Sequence, residues 1–153
     1  MLQYRAEHAC GLIKDSNGLT TVIVVGGYDN YVQQAFTTTE YLDMNSNKWV
    51  SGPPLPYQVG GEVIVPNPAG GILLTGGYDK TSPNTLKTNI LALSSVTSTW
   101  TTISSSLKVG RYLHVAMTLP YSNLTTCTCK NNPIFKNINI SYIPLHCYML
   151  VKF

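Results

Sequence analysis

Charge is what this chain has least of. Asp, Glu, Lys and Arg together make up 11% of its 153 residues, against roughly 25% in an ordinary soluble domain. The basic residues are scattered singly and the net charge is +3, so there is no basic stripe to follow a phosphate backbone, and nucleic acid is not an expected partner. No apolar run approaches the roughly 18 residues of a membrane span, and Leu2 to His8 lacks the apolar core of a secretory signal. A chain neither anchored nor classically exported is expected: the cytoplasm is favoured for the chain as written, and secretion stays open if it belongs to a longer product. Recognised catalytic and phosphate-binding signatures are missing as well, with no G-x-x-x-x-G-K-[ST], G-x-G-x-x-G, H-E-x-x-H or G-x-S-x-G. No enzyme activity and no cofactor is expected. Glycine is absent after Gly110, and the first 126 residues hold one cysteine, Cys10.

What is present is a repeat. TVIVVGGYD ends at Asp29 and GILLTGGYD at Asp79, so Gly26-Gly27 recur as Gly76-Gly77 after 50 residues; Trp49 recurs as Trp100 after 51. Such a period fixes architecture before local propensity does. Val22 to Val25 and Ile72 to Leu74 read as strands buried on both faces, and the paired glycines after them permit positive φ or close backbone approach. Around Tyr41 a second strand is expected, closed into a hairpin at Asn45 to Asn47. The two indoles are expected to be heavily buried between neighbouring sheets. Arg5 and His8 have the same three-residue offset as Arg111 and His114.

These pieces (RAEHACG, VIVVGGYD, TEYLDMNSNKW and PPLP, then GILLTGGYD, NILALSSVTSTW and RYLHVAM) resemble the kelch repeat over roughly residues 5 to 119. The resemblance implies an all-β fold of antiparallel four-stranded blades, those of a kelch-type β-propeller, with the propeller incomplete. About two blades and the first strand of a third fit in this length, and propellers typically have about four to eight. Residues 1–119 are therefore assigned to kelch repeats and 120–153 to an atypical tail outside the propeller. Gly26, Gly27, Tyr41, Trp49, Gly76, Gly77 and Trp100 are the structural motif residues.

The tail holds Cys127, Cys129 and Cys147 beside His146. That spacing argues against zinc, since structural sites use C-x2-4-C pairs and adjacent His146 and Cys147 can hardly share one ion; no metal is expected. A disulfide from Cys127 or Cys129 to Cys147 is the expectation in an oxidising compartment. Asn123 and Asn139 begin glycosylation-type triplets, which matter only in secretion. The abrupt change of composition suggests a splice variant, a retained non-coding stretch or an error in the sequence.

For function, loops on a rigid repeat scaffold are where binding residues gather, and Tyr is favoured at interfaces. Tyr28, Asp29, Asn30 and Tyr31, with Tyr78, Asp79 and Lys80, are the candidate recognition rim. Asp29 and Asp79 have a plain alternative as turn residues capping their own backbone. The kelch resemblance implies a protein-interaction or scaffold module, a piece or isoform of a longer adaptor, with other proteins as partners and self-association through open blade edges. Two alternatives are a fragment of a galactose-oxidase-like propeller, whose copper site and Tyr-Cys crosslink have no recognisable counterpart here, and a truncated product without function of its own. His8 and Cys10 lie two residues apart, but no third group is evident to orient a base.

Overall fold

A computed structural model describes residues 1–31, 34–79 and 85–118, and the readings above for Lys80 and for the tail lie outside it. Among the described residues there are strands and no α-helix. The first sheet is antiparallel in chain order: β1 (Ala9–Lys14), β2 (Thr20–Val25), then β5 (Thr39–Asp43) and β6 (Lys48–Ser51). Between its second and third strands a small hairpin is inserted, β3 (Tyr28–Asp29) with β4 (Gln34–Ala35). The second sheet repeats the plan with β7 (Gly60–Pro66), β8 (Ile72–Asp79), β10 (Asn89–Leu93) and β11 (Thr101–Ser106), while β9 (Thr85–Leu86) pairs with the end of β8. Each blade thus begins one strand upstream of its double glycine.

Local chemistry sets the reversals. Asp15 turns the chain between β1 and β2, its Oδ1 accepting from the amides of Asn17 and Leu19 at 2.8 and 2.9 Å. Asp43 does the same before β6, accepting from Asn45 N at 3.0 Å and Ser46 Oγ at 2.5 Å, and Asn47 takes the left-handed backbone (φ 52°) that closes the expected hairpin.

The core lies between the two sheets. Ile13, Ile23 and Val25 on one face of the first blade meet Ile72, Leu74, Leu91 and Leu93 on the second, with Leu55 and Val59 from the connecting segment sealing the junction. Gly26 and Gly27 sit where the connection crosses back, at φ 56° and 93°. A Cβ on Gly26 would collide with the carboxylate of Glu62 and approach the Val59 carbonyl to 2.8 Å, so conformation and space both demand glycine.

The chain goes on to treat the second blade as it treated the first. Gly27 N donates to Val59 O at 3.0 Å, and Gly77 N to Arg111 O at 2.7 Å; Leu55 N donates to Thr37 O, and Leu107 N to Thr88 O. Glu7, Gly61 and Leu113 are linked in series, Gly61 N to Glu7 O at 2.8 Å and Leu113 N to Gly61 O at 2.7 Å. All three have positive φ (53°, 67° and 47°). Three successive blade starts therefore use one backbone solution, strained at Glu7 and Leu113. The first strand expected for a third unit does not form by residue 118, because no ladder partner lies beside it among the described residues; the segment still docks on the second blade. A second, smaller cluster of Val65, Leu73 and Ile90 marks that face, with Ala116 packed on it.

The tryptophans depart from expectation, being half-buried rather than heavily buried. Trp100 packs against the junction core and donates Nε1–H to Pro53 O at 3.0 Å. Trp49 is not part of that cluster. The first blade's outer face has no counterpart of Pro53 opposite it among the described residues, so one repeat position has two environments.

Candidate binding rim

Strand direction sorts the loops. Residues 1–8, 52–59 and 107–113, with the described parts of 26–38 and 76–88, fall at one end of the blades. The turns at 15–19, 44–47, 67–71 and 94–100 fall at the other. The first end carries every candidate recognition residue that the structure describes, and the other is built of Asn, Ser and Asp turns.

On the rim the candidates separate. Tyr31 is 96% exposed, whereas Tyr28 is 2% exposed and belongs to the core; in β3 it pairs with Ala35 and exchanges backbone hydrogen bonds with Ala6. Its ring cannot meet a partner without unfolding. Asp29 caps the hairpin, its Oδ1 accepting from Tyr31 N at 2.7 Å, and that bond sets the stance of the exposed tyrosine. Asn30 is exposed; Asp29, Tyr78 and Asp79 are half-buried. Tyr78 donates from Oη to Glu7 Oε2 at 2.6 Å and stands edge-on to Tyr112 at 4.7 Å. Burial and the neighbouring Glu7 hold its phenol well above the usual range.

Several rim and junction groups were not among the expected site residues, although Arg5 and His114 stood out by their repeated spacing. Arg5 runs under the first blade's outer face and donates Nε and Nη2 to Glu40 Oε1 at 3.1 and 2.6 Å, and Nη1 to Gly26 O and Thr38 O at 2.8 and 3.0 Å. Glu40 also accepts from the amides of Leu2 and Gln3. Burial pushes that carboxyl up, but the Leu2 amide and Arg5 together outweigh it, and its pKa lies below the usual value. Glu62, 5% exposed, has no hydrogen-bond partner for either oxygen. Burial pushes it up to about 8, against the opposing pull of nearby amides and Arg5. Tyr57 is raised to about 12 by its own burial and then by the Glu62 charge, and Lys87 Nζ stands 4.8 Å from the Tyr57 ring centre. His114 shares a 3.0 Å hydrogen bond between Nε2 and Thr75 Oγ1, and burial followed by the Arg111 charge keeps its pKa low.

Chemically, this end offers shape, aromatic edges and backbone hydrogen-bonding groups. Among the described residues no three His, Cys, Asp or Glu side chains gather as metal ligands, and no helix is long and apolar enough to cross a membrane. His8 Nδ1 is buried without a hydrogen-bond partner while Cys10 is exposed, and Nδ1 makes no hydrogen bond to that thiol.

In comparisons with known proteins, the model of the kelch motif matches residues 20–56, the stretch from β2 through the Pro-rich segment after β6. No curated protein matches the chain. The kelch motif at residues 20–56 and the all-strand antiparallel sheets of the described residues fit a partial kelch-repeat protein and are consistent with an incomplete all-β kelch propeller.

Proposed function

From these kelch blades we propose a protein-interaction module, part of an adaptor or scaffold, whose partner binds the rim at Asn30 and Tyr31. Tyr31 carries the reading: an almost fully exposed aromatic side chain, 96% accessible, held on a two-stranded hairpin by the Asp29 cap. A rigid aromatic presented at a loop tip gives large contact area at low entropic cost, which is why tyrosine is enriched at interfaces. Asp79 extends the same contact surface. Tyr28 and Tyr78 support it from below through the core and through Glu7. The role is non-catalytic, since the rim's ionisable groups with the closest contacts are engaged in holding it together: Tyr78 with Glu7, His114 with Thr75, Arg5 with Glu40.

The test is a photo-crosslinking amino acid at position 31, with one at Ser46 on the opposite end as control. A partner captured at 31 and not at 46 is expected to bind the Tyr31→Ala chain at least about tenfold more weakly, the ~1.4 kcal/mol scale of an interface contact, with no change in melting temperature. Equal capture from both positions would sink the reading.

A further inference from the structure

Three successive blade starts put an ionisable side chain in the same place. His8, Glu62 and His114 each follow the left-handed residue of the series Glu7, Gly61 and Leu113, and the latter two each fill the slot behind a double glycine. A Cβ on Gly76 would stand 2.6 Å from His114 Cε1, and one on Gly26 would collide with the Glu62 carboxylate. In the second blade the occupant has a partner, Thr75 Oγ1, 3.0 Å from His114 Nε2. In the first blade the residue before the glycines is Val25, fully buried and with no side-chain hydrogen bond to offer. Glu62 is only 5% exposed and both its oxygens lack a hydrogen-bond partner. A buried carboxyl left unsatisfied costs stability, and its retention calls for a role.

The charges around the slot are already committed. Arg5, whose charge reaches Glu62, is bound to Glu40 at 2.6 Å, and Glu7 accepts from Tyr78. His8 lies against Gly27 with Nδ1 buried and unpartnered. Tyr57, from the connecting segment, has an unpartnered hydroxyl and carries Lys87 Nζ on its ring. The amides of Ala9 and Gly27 pull on the carboxylate without completing a hydrogen bond to it. Gly27 N is given instead to Val59 O at 3.0 Å, Val59 N to Phe36 O at 3.2 Å, and Phe36 N to Gly27 O at 2.9 Å. Those three bonds tie the two ends of the β3–β4 hairpin to the junction. An ionised carboxylate is a stronger acceptor than a carbonyl, so a charged Glu62 competes with Val59 O for the Gly27 amide.

We propose that Glu62 is a proton-operated latch: with the carboxyl neutral the slot behind Gly26 stays shut, and its ionisation opens the slot to water and frees the β3–β4 hairpin from the junction. The latch itself needs no bound partner; that it governs binding, by loosening the hairpin that presents Tyr31, rests on the rim reading above. Protonation of a buried group acting on a two-state element is a general form of pH switch, and a local opening of this kind needs less free energy than global unfolding. In the shut slot burial holds the carboxyl at about 8, against its ordinary 4.5. Opening is therefore least favoured below about 4.5, grows as pH rises, and levels off above 8. The second blade's slot, with an imidazole beside a threonine, has the opposite sign: burial and then the Arg111 charge lower the His114 pKa, so only acid would open it.

Thiol trapping tests the latch. In the full chain with Cys10, Cys127, Cys129 and Cys147 changed to Ser, a single cysteine is placed by Ala35→Cys in the hairpin or, as control, by Thr21→Cys at the other end of the blade; the two sites are 1% and 2% exposed. Reaction with a methanethiosulfonate reagent is measured from pH 5 to 9 and divided by the rate of the urea-unfolded chain at the same pH. The relative rate at position 35 is expected to rise at least about tenfold between pH 5 and 8, the change that one pKa unit of difference yields, and to exceed that at position 21 at least about tenfold at pH 8. Glu62→Gln is expected to remove the rise, and Val25→Thr with Glu62→His to move it to the acid side. Equal rates at 35 and 21, or a rise that Glu62→Gln leaves intact, would overturn the proposal. Should the cysteine variants fold poorly, amide exchange of Gly27 in the unaltered chain, corrected for its intrinsic pH dependence, decides: protection that falls between pH 5 and 8 is the expected result, and constant protection overturns it.

Discussion

The Arg5–Glu40 pair occupies positions that the second blade fills with Val59 and Leu91. Glu40 lies opposite Ser51 in its sheet as Leu91 lies opposite Thr102, and Arg5 precedes β1 as Val59 precedes β7. One fold position thus takes an ion pair in the first blade and an apolar pair, both members of the junction core, in the second. The pair's side chains are 0% and 2% exposed, yet the cover is only residues 2–5, so the desolvation involved is that of a site near the molecular edge. Glu40→Leu alone leaves the guanidinium covered with neutral acceptors only, the Gly26 and Thr38 carbonyls, the Thr38 hydroxyl and the Gln3 amide oxygen, and Arg5→Val leaves the carboxylate with two amides. Breaking a buried pair costs about 3–5 kcal/mol, and with so thin a cover about 3 is expected for each single change. The double variant Arg5→Val, Glu40→Leu restores the second blade's solution and is expected within about 1 kcal/mol of the parent, since well-packed apolar replacements of buried pairs are commonly neutral or better. Urea melts at pH 7 on all four chains give the coupling directly. The pH profile adds a signature. The folded pKa of Glu40 is depressed, so its contribution is present above the ordinary 4.5 and is lost as pH falls below that value; the double variant lacks this loss. A double variant as unstable as the sum of the singles would refute the equivalence.

Glu62 has the opposite sign. Its folded pKa is raised to about 8 from 4.5, so stability is fully present below about 4.5 and drains away as pH rises through 8. Glu62→Gln is expected to flatten that slope and to stabilise the chain at pH 8 by an amount whose ceiling, at ~1.4 kcal/mol per pKa unit, is roughly 5 kcal/mol; thermal melts from pH 5 to 8 test it, and a parallel slope in the variant counts against it. Trp100→Ala, which empties part of the junction core and leaves Pro53 O with the Thr39 hydroxyl alone, should cost about 3–5 kcal/mol. Trp49→Ala should cost clearly less in dilute solution, and equal losses in denaturant melts would mean that Trp49 already has a covering surface.

What the sequence determined by itself was whatever rests on near neighbours and on period. Val22 to Val25 could only be a buried strand, Asn45 to Asn47 only a turn, and the recurring glycines marked two copies of one unit, because side-chain size, backbone freedom and spacing act over a few residues. The Asp29 turn was legible for the same reason. Which candidate rim residues reach solvent was not: Tyr28 and Tyr31 are three apart and chemically alike, and only the pairing of β3 with β4 and with Ala6 turns one inward and leaves the other outside. Tertiary structure alone decided the partnerships of Arg5 with Glu40 and of Tyr78 with Glu7, 35 and 71 residues apart, and the burial of Glu62 against Gly26. It also made two identical tryptophans unequal. Those outcomes depend on which blade face another blade covers, and a contact between faces leaves no local trace in either strand.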